Sequence, residues 1–278
     1  MSTILDRKAN GMRFHIEKYE SAMEVVDKAR SREITDRRFD DKSKEAFGAW
    51  EGVGSYEEAL NFMRNGYQPT VESMRGVFKT NRAGERKRFA FQNSVQGFAP
   101  VVPLALKRVP NCMIDMQMRP IKSKVLDIYY DMTANCGTDS AEIIKAGQNM
   151  LGAIVELESQ GYRFNLYACQ TYADRESCDM LVVKVKDAAR PLDLKRISFP
   201  LTHTAFFRVI GFDWYSRVPG GEYRGGYGTG LAYLKNNNDL QQIASELFRG
   251  KPIYFSGAKI IGEDKQHIKE VLTNDSKA

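Results

Sequence analysis

The sequence lacks the features that identify most zinc-binding, secreted or membrane-spanning proteins. Its four cysteines form no CxxC pair, and its three histidines, His15, His203 and His267, lie far apart, so no structural zinc site is expected. No apolar run approaches the roughly 20 residues that span a bilayer. Residues 1–13 also lack the apolar core of a signal peptide. These absences predict a protein that stays in the cytoplasm and has no membrane partner.

The sequence also contains no complete catalytic or cofactor motif. The glycine-rich run 219–230 has neither the preceding strand nor the immediate helix of a dinucleotide fingerprint, and it contains no GKS or GKT. No nucleophile motif and no paired acids at a defined spacing are present. His203 lies in an apolar region, where a half-buried core histidine is expected. We therefore assign no catalytic residue and favour a non-enzymatic protein, with a metal-dependent enzyme acting on phosphate esters as the enzymatic alternative.

The most informative stretch is a strand, helix and second strand that follow one another within residues 124–171. Val125 to Tyr130 form a short β-prone run, residues 143–157 carry apolar side chains at helical spacing, and Gly161 ends the helix before residues 162–171 return to strand character. This order predicts one βαβ unit and therefore a parallel pair of strands in a buried sheet. Residues 180–185 are expected to add a third strand to it.

The rest of the chain predicts an α/β domain with a helical appendage. The appendage covers residues 1–97, with a helix over 14–30 and a second helix that begins at the capping box of Ser55 and Glu58. Residues 98–278 form the α/β domain, which we expect to be a three-layer structure with helices on both faces of the sheet. The hydrophobic content of the whole chain, 42%, and its charged content, 27%, are those of an ordinary folded protein.

Polar side chains are gathered where the first strand of the βαβ unit meets its helix, at Asp131, Thr133 and Asn135. Carboxylate, hydroxyl and amide oxygens are the ligands that Mg²⁺ and Ca²⁺ prefer, so these residues are candidate metal ligands and either ion is the candidate cofactor. The alternative is structural: Thr133 and Asn135 satisfy backbone groups of the loop while Asp139 caps the helix.

The loop from Asp131 through Thr133 to Asn135 resembles the Asp-x-Ser-x-Ser loop of von Willebrand factor A domains, with Asn135 in place of the second hydroxyl. The resemblance implies a cation held through the Asp and the hydroxyls, with a Thr and an Asp from later loops. Thr202, Thr204 and Asp213 are positional possibilities for those two. Residues 50–52 and 191–212 also resemble uncharacterised proteins of phages and of bacteria that carry phage genes. This second resemblance implies a phage-encoded protein in the host cytoplasm.

The positive charge of the chain supports a second function. The net charge is +6, and Arg82, Arg86, Lys87 and Arg88 lie beside Phe89 and Phe91, a combination that suits phosphate contact and base stacking. Arg224 in the glycine-rich run is a further candidate. We therefore expect an interaction protein that binds a protein partner or its own copies, with nucleic-acid binding in phage DNA or RNA metabolism as the alternative.

Overall fold

The computed structural model describes residues 2–35, 48–80, 87–120, 124–219 and 229–274, and only the backbone of 76–80, 87–89 and 118–120. A six-stranded mixed sheet lies at its centre, and a smaller sheet has three strands. The strands are β1 (Thr3–Ala9), β2 (Met12–Tyr19), β3 (Lys87–Ser94), β4 (Ala99–Pro100), β5 (Met113–Pro120), β6 (Lys124–Asp131), β7 (Tyr162–Ala173), β8 (Ser177–Lys186) and β9 (Pro252–Ser256).

Ten α-helices connect and cover these strands in the described part of the chain. They are α1 (Ala22–Arg30), α2 (Tyr56–Asn65), α3 (Gln68–Thr80), α4 (Val102–Leu106), α5 (Ser140–Ser159), α6 (Leu194–Thr202), α7 (Phe212–Tyr215), α8 (Asn237–Leu247), α9 (Gly257–Ile260) and α10 (Lys265–Asn274). A π-helix (Phe206–Gly211) precedes α7, and a 3₁₀-helix (Leu231–Tyr233) precedes α8. None of the described helices has the length and apolar character needed to cross a bilayer.

The large sheet has the strand order β1-β2-β8-β7-β6-β9. Strand β6 runs parallel to both β7 and β9, and α5 connects β6 to β7. The predicted βαβ unit is therefore confirmed. Strand β8 joins the same sheet antiparallel to β7, while β1 and β2 form an antiparallel pair that meets β8 through β2.

Both faces of this sheet are covered by helices, as the sequence predicted. On one face, Leu151 and Ile154 of α5 belong to a buried apolar cluster with Ile128 of β6. On the other face, Leu240 and Ile243 of α8 pack into a second cluster, whose strand members include Tyr129, Tyr167 and Phe14. Cover on two sides explains why β7 and β8 are buried at nearly every position rather than at every second one.

The helix predicted over residues 14–30 is wrong in its first half. Residues 12–19 form β2, whose Met12, Phe14 and Ile16 are buried on one face, and only Ala22–Arg30 is helical. The side chain of Ser21 accepts a hydrogen bond from the Glu24 N–H at 3.3 Å and begins α1. Because β1 and β2 belong to the large sheet, a purely helical N-terminal appendage is not confirmed; the domain boundary at residue 97 stays a prediction.

Candidate functional site: a buried carboxylate and the exposed rim above it

Asp131 is the last residue of β6, at the carboxyl edge of the sheet, where open α/β sheets bind their ligands. Its register partners are Cys169 on β7 and Ser256 on β9. Because Asp131 is two residues after Tyr129, its side chain points to the face of the sheet that α8 covers. The position was predicted from the sequence, but the surroundings of the carboxylate were not.

The Asp131 carboxylate is fully buried and hydrogen-bonded by neighbouring groups of the chain. One oxygen accepts the Thr133 backbone N–H at 2.9 Å. The other accepts the hydroxyl of Thr171 and the hydroxyl of Tyr254, each at 2.6 Å. Burial raises the pKa of Asp131, and these three hydrogen bonds oppose that rise without cancelling it. Asp131 therefore ties the ends of β6, β7 and β9 together.

A short segment of the chain covers this cluster. Leu231 donates its backbone N–H to the Thr171 hydroxyl at 3.0 Å, so this hydroxyl both donates and accepts. A Cβ atom on Gly230 would lie 2.9 Å from the Thr133 methyl group, so only glycine allows the backbone to approach this closely. The Thr133 hydroxyl in turn accepts the Thr171 N–H at 2.8 Å. Gly230 and Leu231 thus close the space above Asp131 and Thr133.

Asn135, the third predicted metal ligand, lies outside this closed cluster. Its side-chain oxygen accepts the Gly137 N–H at 2.6 Å, and its backbone N–H donates to the Tyr233 hydroxyl at 2.7 Å. The structure therefore brings Asp131 and Thr133 together but turns Asn135 towards its own loop. Among the described residues, no group of three or more His, Cys, Asp and Glu side chains is arranged to hold a metal ion.

The three positional candidates for the later ligands lie elsewhere in the fold. The Thr202 hydroxyl donates to the Ser198 carbonyl at 2.6 Å, and the Thr204 hydroxyl donates to the Glu51 carbonyl at 2.9 Å. Asp213 accepts hydrogen bonds from the Tyr56 hydroxyl and from Arg217. Two residues whose hydroxyls donate to the Asp131 carboxylate were missed by the sequence analysis, namely Thr171 and Tyr254. Each is a hydroxyl residue close to the carboxyl end of a strand, which is the signal that could have found them.

Above the closed cluster lies a surface that we call the rim, formed by Trp50, Asn135, Cys136, Tyr233 and Leu234. The exposed fraction is 37% for Trp50, 45% for Tyr233 and 39% for Leu234. The Trp50 indole N–H donates to the Cys136 carbonyl at 2.7 Å, while Tyr233 holds the Asn135 N–H. The rim therefore joins three distant segments at one edge of the sheet.

A buried arginine supports the rim from below. Arg208 lies in the π-helix, a rare element that often marks a functional position. Its guanidinium donates to the Thr138 carbonyl at 2.7 Å, to the Ser140 hydroxyl at 3.1 Å and to the Trp50 carbonyl. The Trp50 ring also lies 4.4 Å from the guanidinium carbon, which is a cation–π distance. Burial lowers the pKa of Arg208, and Glu51 counters this effect.

His203 occupies a separate, aromatic site, consistent with its predicted role as a core histidine. Its ring lies 4.4 Å from the Tyr67 ring and 5.3 Å from the Phe62 ring. One ring nitrogen accepts the Ala205 N–H at 3.1 Å. Burial lowers the pKa of His203 to about 4, so the side chain is neutral at physiological pH.

The predicted nucleic-acid-binding residues are only partly within the described chain. Arg82, Arg86 and Arg224 lie outside the described residues. Lys87 and Arg88 begin β3, where they pair with Pro120 and Arg119 of β5. The structure therefore adds Arg119 to this basic group, directly opposite Arg88.

These observations define a mixed α/β protein whose six-stranded sheet is flanked by helices and carries a polar cluster at its carboxyl edge. The chain belongs to the family described as Domain of unknown function (DUF7192), whose model matches residues 7–274. No curated protein and no solved structure matched the chain.

Proposed function

We propose that the protein is a non-enzymatic interaction protein that binds a macromolecular partner through the rim. The observation that carries this proposal is the exposure of Trp50, Tyr233 and Leu234 together at the carboxyl edge of the sheet. Aromatic side chains with a polar tip are enriched among the residues that dominate protein–protein binding. Arg208 donates to the Trp50 carbonyl and Tyr233 accepts the Asn135 N–H, so the rim is held in place and little conformational entropy is lost on binding.

The same proposal includes a von Willebrand A-like domain in a phage-encoded protein. It is supported by the Asp131 loop at the end of β6, by the helix α5 that follows it, and by the presence of β6, β7 and β8 in one sheet. Asp131 contributes to partner binding by fixing the loop beneath the rim. Direct cation binding would require Thr171 or Tyr254 to release the carboxylate, and it stays a prediction.

The test is a quantitative affinity purification from cells that make the protein. Leu234→Arg places a charge in the rim and removes no side-chain hydrogen bond, whereas Asn238→Arg places the same charge on the exposed first turn of α8. A partner that binds the rim should be retained by the wild type and by Asn238→Arg. The amount of partner retained should fall at least tenfold with Leu234→Arg. Repeating the purification with EDTA and then with Mg²⁺ or Ca²⁺ tests whether partner binding requires a divalent cation. If no retained protein distinguishes the two variants, the rim is not the binding surface.

Nucleic-acid binding is the second candidate, and the strand register favours it. Arg88 and Arg119 are register partners in the antiparallel pair β3–β5, so the strand pairing brings two basic residues to the same position along the sheet, and clustered basic residues attract phosphates. An electrophoretic mobility shift at two salt concentrations tests the idea, because binding to phosphates must weaken as salt rises. Replacing both arginines by glutamine should also flatten the salt dependence by about two phosphate contacts. Binding that does not respond to salt would rule out the phosphate contacts.

A further inference from the structure

The three-stranded sheet β3-β5-β4 and helix α4 form a unit that we call the arm, residues 87–120. None of the side chains described between residues 90 and 117 is buried. A small sheet of two or three strands is stable only when one apolar face is covered. The described part of the chain therefore does not give the arm the apolar burial that such a sheet requires.

The side chains that would supply this burial are present and exposed. Phe91 on β3 pairs with Met116 on β5, so both lie on one face of the arm, and the Phe98 ring lies 6.1 Å from the Phe91 ring. Phe91 is 69% exposed and Met116 is 47% exposed. Leu106 on α4 is 80% exposed. Such a concentration of exposed apolar side chains marks an interaction surface.

We infer that the arm binds the arm of a second copy of this chain, which makes the protein a homodimer. The proposal goes beyond the function of the rim, because the two surfaces share no residue. It rests on the exposed apolar area of the arm and on the position of Phe91 and Met116 on one of its faces.

The exposed apolar area suffices for a dimer. Phe91, Val95, Phe98, Val102, Leu106 and Met116 together expose the equivalent of about four whole side chains, or roughly 600 Å² if each contributes about 150 Å². Two copies then offer on the order of 1,200 Å² from these side chains alone, which is the lower end of the range for stable interfaces. The surrounding polar atoms would add to this area.

The geometry of the arm is compatible with face-to-face packing of two copies. Phe91 and Met116 are register partners, so their side chains lie on one face of the β3–β5 ladder. A two-fold axis presents the same face of each copy to the other, so that the apolar face of one ladder packs on the apolar face of its partner.

The test measures the mass of the full-length protein by sedimentation equilibrium over a concentration series. The wild type should approach twice the mass of the chain. Met116→Lys should weaken dimerisation at least tenfold because it places a charge on the apolar face of β5. Gln117→Lys adds the same charge at the next position, on the opposite face, and should leave the dimer unchanged. Both residues are exposed, so each variant should fold, as circular dichroism would verify.

Three outcomes would overturn the inference. The first is a wild type that stays monomeric at every concentration, and the second is an equal response to Met116→Lys and Gln117→Lys. The third is a larger species that absorbs at 260 nm and becomes monomeric after nuclease treatment, which would assign the arm to nucleic acid. None of these outcomes affects the proposal for the rim, whose test depends on Leu234.

Discussion

Replacing Thr171 by valine is the sharpest test of the Asp131 cluster. Valine has nearly the same shape as threonine, so the substitution removes one hydroxyl and leaves the packing of β7 largely unchanged. That hydroxyl donates to the Asp131 carboxylate at 2.6 Å and accepts the Leu231 N–H at 3.0 Å. The variant therefore affects a buried carboxylate and a buried backbone donor at once.

The loss in the free energy of unfolding follows from the two groups that lose a hydrogen-bond partner, the Asp131 carboxylate and the Leu231 N–H. A buried donor or acceptor that loses its partner costs about 1–3 kcal/mol, and a bond to a charged group lies at the upper end. Because Thr133 and Tyr254 still donate to Asp131, we expect Thr171→Val to lower the free energy of unfolding by about 3 kcal/mol. Thr171→Ser keeps the hydroxyl and should lose less than half of that amount. Urea denaturation followed by circular dichroism would measure both variants.

The loss should also depend on pH. Burial raises the pKa of Asp131 above that of the unfolded chain, so between these two pKa values the folded state binds more protons. The wild type therefore gains stability as pH falls from the folded-state pKa towards the unfolded-state pKa. Thr171 donates to the ionised carboxylate, and its removal should raise the pKa further. The difference between wild type and Thr171→Val should therefore shrink as pH falls below the folded-state pKa. A loss under about 1 kcal/mol at neutral pH, or one independent of pH, would refute the role assigned to this cluster.

Three further predictions concern the core. Burial lowers the pKa of His203 to about 4, so in acid the folded state binds fewer protons than the unfolded chain, and the free energy of unfolding should fall by about 3 kcal/mol between pH 7 and pH 4. His203→Phe should remove this part of the acid sensitivity, as urea denaturation at the two pH values would show. Gly147→Ala should destabilise α5 by about 2 kcal/mol because its Cβ would lie 2.2 Å from the Leu201 carbonyl oxygen, whereas Gly152→Ala meets only the flexible Lys265 side chain and should be neutral or stabilising by up to about 1 kcal/mol in the same assay. Leu151→Asp should cost more than about 4 kcal/mol, because it buries an unpaired charge at a fully buried position; an unchanged melting temperature would contradict the packing of α5.

The elements that could be predicted from the sequence are those whose pattern is local and long. The βαβ unit was confirmed because α5 is 20 residues long and repeats its apolar residues at helical spacing. The helix start at Ser55 was also correct, since the Glu58 N–H donates to the Ser55 hydroxyl at 3.1 Å, although the Glu58 carboxylate accepts the N–H of Gly54 rather than that of Ser55. The same motif at Ser21 and Glu24 was overlooked, and its recognition would have separated β2 from α1.

The partners of Asp131 could not be predicted in the same way. Thr171 is 40 residues from Asp131 in the chain, and Tyr254 is 123 residues away. Their meeting depends on which strands flank β6, and hence on the register of the sheet, which no local pattern records. The βαβ unit did predict that β7 lies beside β6. It could not predict that β9 lies on the other side with Tyr254 facing the carboxylate.

The arm shows a second limit of reasoning from sequence, because a strand pattern records which side chains are apolar but not what covers them. Phe91 and Met116 sit in strands like many buried residues, yet both are exposed. The sheet that could cover them is too small to fold back on itself, and no element of the chain packs extensively against it in the described residues. Within the described residues this apolar face stays uncovered. The second copy that we propose would supply the same apolar residues, in an arrangement that a two-fold axis makes complementary.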